Sequence, residues 1–292
     1  MKTGARGRVT GQRDNLVGRL MRPGDGGIVA AAWAGVLPDR NRWADWLPAF
    51  IAAPRPYLNA RLLRRHRDGD GTVFLKREGQ AIGNATDGLT MFVMEYWQET
   101  FDFTDPWAHQ LLNTIVPIYH RCFRGNNIKR ILHETEVAVG HIQVAGGNPH
   151  LFDTQPDDPF SMSPGGGGPR AVYGITRDDA LSAPATGISK VLLYYTAPEL
   201  RLSLRQQDVA ILALDGMTDA AIAEALGISR DGVRQHWRAI FDRIETFMPG
   251  FFSDPGAGSA PDTRGGEKRR QTLRYLDARP QELRPFAYRG RA

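Results

Sequence analysis

Between Ser229 and Glu245, side chains able to bind a polyanion recur along one helical face. Arg234 and Arg238 stand four residues apart, Gln235 lies beside Arg234, and Arg230 precedes them by one turn. Residues at i and i+4 of an α-helix share a face, so two guanidinium groups would stack there with a carboxamide alongside. Arginine pairs bidentately with guanine O6 and N7, and glutamine with adenine N6 and N7. The competing interpretation is a solvated charge face, because Asp231 and Asp242 fall on the same side. The charge pattern alone leaves both open. A second basic cluster, Lys268, Arg269 and Arg270 with Arg274, is suited to phosphate oxygens, which fix register but carry no base identity.

Other chemistry is thinly supplied. His120 and Cys122 could be joined by His133 and His141 as zinc ligands, but the chain has no CxxC and no HExxH, and the run from His133 to Val137 lacks the second histidine. Histidines satisfied by ordinary hydrogen bonds are the simpler interpretation, so neither a metal nor a cofactor is expected. The four glycines at 165–168 lack the Lys-Ser/Thr that follows in a phosphate loop. No paired acid and base stand out, no catalytic residue is assigned, and the chain reads as a non-enzyme.

The elements that must position the arginines are spelled out around them. Ser203 and Gln206 form a capping box ahead of Leu204, Val209, Ile211 and Leu212, and Gly216 suits the left-handed end of that helix. Thr218 caps a second helix with Ile222, Ala223 and Leu226 on its apolar side. Gly227-Ile228-Ser229 makes a tight turn, and Ser229 caps the third helix. In that third helix Val233, Trp237, Ile240, Phe241 and Ile244 form one apolar stripe opposite the arginines. Two short helices joined by a glycine-containing turn are the signature of a helix-turn-helix.

Residues 202–245 resemble the helix-turn-helix of the LuxR/NarL (GerE-like) class of transcriptional regulators. The match runs without a gap through GMTDAAIAEALGISRDGVRQHWRAIFDRI, where that class expects a small polar cap, Ile-Ala, Leu-Gly-Ile-Ser, a valine, then histidine and a later isoleucine. Gly232 stands where the class usually has threonine, and Trp237 is bulkier than its usual aliphatic residue; with the basic tail, these departures mark a divergent branch. The resemblance covers roughly a sixth of the chain and implies that Arg234, Gln235 and Arg238 face bases. The full candidate set of DNA-contacting residues is Thr218, Ser229, Arg230, Arg234, Gln235, Arg238, Lys268, Arg269 and Arg270. The resemblance also implies double-stranded DNA as partner, with contact to RNA polymerase a further expectation. A homodimer is expected because one such motif reads too few base pairs for useful specificity, and a cytoplasmic setting because the chain has a single cysteine. The same Ile-Ala and Leu-Gly-Ile-Ser core occurs in the promoter-reading region of sigma factors, so a sigma-like subunit is an alternative. An enzyme with an appended DNA-binding module is another.

At 292 residues, 41% hydrophobic and 24% charged, the chain is long enough for two domains. The formal charge is +5, but its distribution is uneven. Before residue 28, six basic side chains face two acidic ones; from Arg264 onward, nine face three. Basic ends around an acidic middle point to polyanion contact or to solubilising tails. One cysteine, Cys122, excludes an internal disulfide framework. No apolar run approaches the roughly 18–20 residues of a membrane span. The expected fold class is an α+β N-terminal domain followed by an all-α helix-turn-helix domain.

Five segments are expected: a flexible basic tail at 1–27, an α+β sensor or dimerisation domain at 28–197, the helix-turn-helix at 198–247, a loop at 248–265, and a basic C-terminal helix and tail at 266–292. Within the second segment, a helical domain is expected to begin near Ile28, with helices over 40–52, 57–66, 88–101 and 177–182, and after the Thr104-Asp105-Pro106 start signal. Residues 72–76 are expected as a short strand closed by a turn at Glu78-Gly79, and IKRILHETE, from Ile128, as helical. No receiver-type acidic pair is found. Trp97, Phe101 and Asp105-Pro106 follow the order of an acyl-homoserine-lactone sensor, but the spacing to Asp-Pro is too short, and the effector stays unassigned.

Overall fold

In the computed structural model, the residues described are 7–9, 16–21, 28–37, 65, 68–69, 74–98, 100, 102, 104–136, 150–153, 170–182, 190–252 and 261–288. The chain divides into two compact units, Met1–Tyr195 and Thr196–Ala292. Among the described residues the first is mixed α and β, and the second is helical.

The first unit is organised by one sheet whose strands are β1 (Gly7–Val9), β2 (Leu16–Met21), β3 (Ile28–Leu37), β4 (Leu89–Gln98), β5 (Ile128–Glu136), β6 (His150–Asp153) and β7 (Arg170–Thr176). Their spatial order is β1-β2-β3-β4-β5-β7-β6. All pairs are antiparallel except β4 with β5. A parallel pair needs a crossover, and the helix between them provides it.

Four expectations are overturned in the sheet. The N-terminal 27 residues contribute the edge strand β1 and its neighbour β2, so that segment is not simply a flexible tail. Ile28–Leu37 is a strand where a helical domain was expected to begin, with Ala30 opposite Gln98 and Val36 opposite Met91. Residues 88–101 likewise yield a strand, β4, in place of a buried helix. Leu89, Thr90, Met91, Phe92 and Val93 are all buried, so both faces of β4 are covered. A strand buried on both faces loses its alternation and reads as a continuous apolar run, which periodicity cannot separate from a buried helix. IKRILHETE is β5 for the same reason: Ile131, Leu132, His133 and Glu134 are consecutive and buried.

Helix α1 (Arg77–Ala85) places Glu78 and Gly79 in its first turn, where a strand-closing turn was expected. Gly88 then leads into β4 at φ +102°, a left-handed conformation, and a Cβ there would lie 2.8 Å from the Asn127 carbonyl oxygen. Helix α2 (Pro106–Phe123) begins as the sequence signals: the Asp105 carboxylate accepts from Trp107 N at 2.9 Å and Pro106 occupies the first turn. It runs on through Pro117. Helices α3 (Arg177–Ser182) and α4 (Lys190–Leu193) complete the described part of the unit; α3 covers the 177–182 span expected for it.

Met91, Val93, Ile131 and Ile175 of the sheet pack with Phe123, Ala180, Leu192 and Leu193 of these helices. A polar network ties the unit's chain end back to its body. Arg177 donates to Leu193 O and Asn127 Oδ1, its guanidinium lies 5.9 Å from the Tyr195 ring centroid, and Tyr195 Oη donates to Asn84 O. The expected helices at 40–52 and 57–66, apart from Arg65, lie outside the described residues, as do residues 154–169 and His141.

Candidate nucleic-acid interface

The second unit is built from α5 (Leu204–Leu214), α6 (Asp219–Leu226), α7 (Arg230–Phe247), α8 (Pro261–Ala278) and a 3-10 turn, Pro280–Leu283. The starts of α5, α6 and α7 each follow from a short polar side chain satisfying free N–H groups. Ser203 Oγ accepts from Gln206 N while Gln206 Oε1 accepts from Ser203 N at 2.7 Å, a complete capping box. Thr218 Oγ1 accepts from Ala221 N and Ser229 Oγ from Gly232 N, at 3.3 and 3.0 Å. Gly216 and Gly227, at φ +82° and +63°, close α5 and α6 in the left-handed conformation.

One core joins all of these elements. Val209, Ile222, Val233, Ile240 and Ile244 are fully buried, and Trp237 is nearly so. Phe241 packs against them, its ring stacked with Trp237 at 5.9 Å. Leu276 of α8 and Leu283 of the 3-10 turn enter the same cluster, as do Leu200 and Leu202 ahead of α5. The basic C-terminal helix is therefore part of the body of the unit. A seal made by three helices, as the sequence suggests, is incomplete without it.

The joint at the chain's C-terminal side is polar as well. Glu282, buried, accepts from the backbone N–H groups of Glu199 and Leu200, both at 2.9 Å. Burial pushes its carboxyl above the ordinary range, partly opposed by those two hydrogen bonds. Gln207 Nε2 donates to the carbonyls of Glu282 and Arg284. Arg201, at φ +52°, places its guanidinium 5.9 Å from the Phe247 ring centroid and 5.8 Å from that of Tyr288.

Against this frame α7 has two distinct sides. Val233, Trp237, Ile240 and Ile244 face the core, while Arg230, Arg234, Gln235 and Arg238 are exposed. Asp231 is exposed on the same helix and its Oδ1 holds Arg234 Nη1 at 3.1 Å, with 65% and 79% of the two side chains accessible. A pair that open is worth about 0–1 kcal/mol, so it orients Arg234 without locking it. No pairing partner for Arg238 is found among the described residues. Thr218 and Ser229 are exposed at the first ends of α6 and α7. Their side-chain oxygens are engaged as caps, which leaves each hydroxyl proton available as a donor.

The C-terminal candidates part company. Lys268 and Arg270 are exposed. Lys268 Nζ lies 4.8 Å from the Phe252 ring centroid, and Arg270 pairs with Glu267 one turn before it. Arg269 turns inward instead: its Nη1 is 2.7 Å from Asp219 Oδ1 and its guanidinium 4.7 Å from the Trp237 ring centroid. The sequence carries the signal for this. Arg269, Thr272, Leu273 and Leu276 are spaced i, i+3, i+4 and i+7, the stripe that faces a core, and Thr272 and Leu276 are fully buried.

No protein-family model matches this chain, and no curated protein matches it. Among the described residues no group of three or more His, Cys, Asp and Glu could hold a metal ion, and no helix is long and apolar enough to cross a membrane.

Proposed function

We propose that the second unit reads double-stranded DNA through α7 and that the chain is a sequence-specific transcription regulator with a LuxR-like helix-turn-helix. The observation that carries this is the division of α7. Its apolar stripe is spent on the core, while Arg230, Arg234, Gln235 and Arg238 stand together in solvent. The exposed face offers two guanidinium groups one turn apart with a carboxamide beside them. A face that reads guanine and adenine edges needs both. In this assignment α7 lies in the major groove with α6 across the backbone. Lys268 and Arg270 reach flanking phosphates.

One such motif contacts too few base pairs for useful specificity, so the working form is a homodimer on two half-sites. The first unit serves as its dimerisation or effector module, and RNA polymerase is the partner through which binding alters transcription. The test is selection of duplexes from a random pool by the full-length protein. An enriched motif with two half-sites about 10 base pairs apart supports the proposal; failure to enrich any sequence removes it.

A further inference from the structure

We propose that Arg269 is a positioning residue that fixes the angle between the two helices of the reading motif; this rests on the DNA-reading function above. One side chain from α8 touches both helices. Its Nη1 meets Asp219, the first residue of α6, at 2.7 Å, and its guanidinium covers the Trp237 ring of α7 at 4.7 Å. Trp237 stands midway along α7 on the side away from Arg234, Gln235 and Arg238. The Arg269 and Asp219 side chains are 29% and 32% accessible, so this pair is far less open to water than the Arg234–Asp231 pair. The Trp237 indole N–H has no acceptor among the described residues, so packing and the overlying guanidinium hold the ring.

A planar, delocalised cation can stack on an indole and pair with a carboxylate at once; a lysine ammonium cannot do both equally. The spacing of Arg269 with the buried Thr272 and Leu276 points it inward, whereas Lys268, Arg270 and Arg274 face solvent. The basic run on α8 thus contains one member aimed at the protein among others exposed to solvent. Through it, α8 sets how α6 and α7 meet, and so which base edges the α7 face can reach.

The experiment uses the full chain carrying Arg269→Gln or Arg269→Lys, a duplex selected by the wild type, and a scrambled duplex of equal length. Affinities are measured across a salt series, and amide exchange is followed in the protein alone. We expect Arg269→Gln to weaken the selected duplex about tenfold, the size of a partly desolvated cation–π contact, while the scrambled duplex and the salt slope stay unchanged. Arg269→Lys restores part of the loss.

Equal loss on both duplexes, whether or not the slope falls by the roughly 0.9 of one phosphate contact, overturns the proposal, as does no loss on either. Exchange separates this from failure of the DNA reading itself. If the wild type selects no duplex, faster exchange in the first turn of α6 and around Trp237 in the Arg269→Lys protein still supports the staple, and unchanged exchange overturns it.

Discussion

Replacing Arg238 with alanine isolates the proposed base contact from folding. The side chain is exposed, and among the described residues no pairing partner holds it. Its loss should therefore move stability by no more than about 0.5 kcal/mol. A bidentate arginine–guanine contact is worth about 1–3 kcal/mol, and each 1.4 kcal/mol is about tenfold in affinity. Arg238→Ala should then weaken a selected duplex by roughly 5- to 150-fold and relax preference at one base pair. Arg234→Ala should cost somewhat less. Arg234 holds Asp231 at 3.1 Å, and that pair, worth about 0–1 kcal/mol, competes with any base for the same guanidinium.

Asp231→Asn frees Arg234 and removes a negative charge beside the phosphates, so it should tighten selected and scrambled duplexes alike. Fluorescence anisotropy with both duplexes at fixed salt, alongside thermal melts, gives all of these values. Unchanged affinity of both arginine variants for the selected duplex, with melting points unaltered, would refute the groove assignment.

Trp237→Ala should destabilise the second unit by about 3–5 kcal/mol, as expected for a large buried aromatic, and Trp237→Phe by much less because the indole N–H lacks an acceptor among the described residues; denaturant titration distinguishes them. Gly88→Ala should lower stability by at least about 1–2 kcal/mol, since a left-handed backbone disfavours a Cβ and the new atom would sit 2.8 Å from the Asn127 carbonyl oxygen; a change within error would contradict that close approach. Glu282 offers a pH test. Its folded pKa is raised by burial, so the native state binds the extra proton. Its contribution is fully present below the unfolded carboxyl value and is lost as pH rises through the folded one. Subtracting the stability of Glu282→Gln from that of the wild type should therefore give a difference that declines as pH rises past the ordinary glutamate range; a flat difference would show that its two backbone hydrogen bonds fully offset desolvation.

The parts of this protein legible in its sequence are those governed by contacts within a few residues. Ser203, Thr218 and Ser229 each satisfy an N–H group three positions away, Gly216 and Gly227 take the left-handed ends, and Asp105-Pro106 opens α2. The stripe from Val233 to Ile244 places the arginines of α7 on the opposite face by helical geometry alone. Strands β3, β4 and β5 could not be read this way, because the pairings of β3 with β4, β4 with β5 and β5 with β7 join residues dozens of positions apart.

Leu89–Val93 is equally apolar as a helix or a doubly covered strand, and only pairing with Ile28–Leu37 and Ile128–Glu136 settles the choice. Arg269 repeats the lesson on a smaller scale. Its spacing with Thr272 and Leu276 was visible, but Asp219 lies 50 positions away. Local spacing chooses the side of a helix on which a charge stands; the chain's return through space chooses what that charge meets.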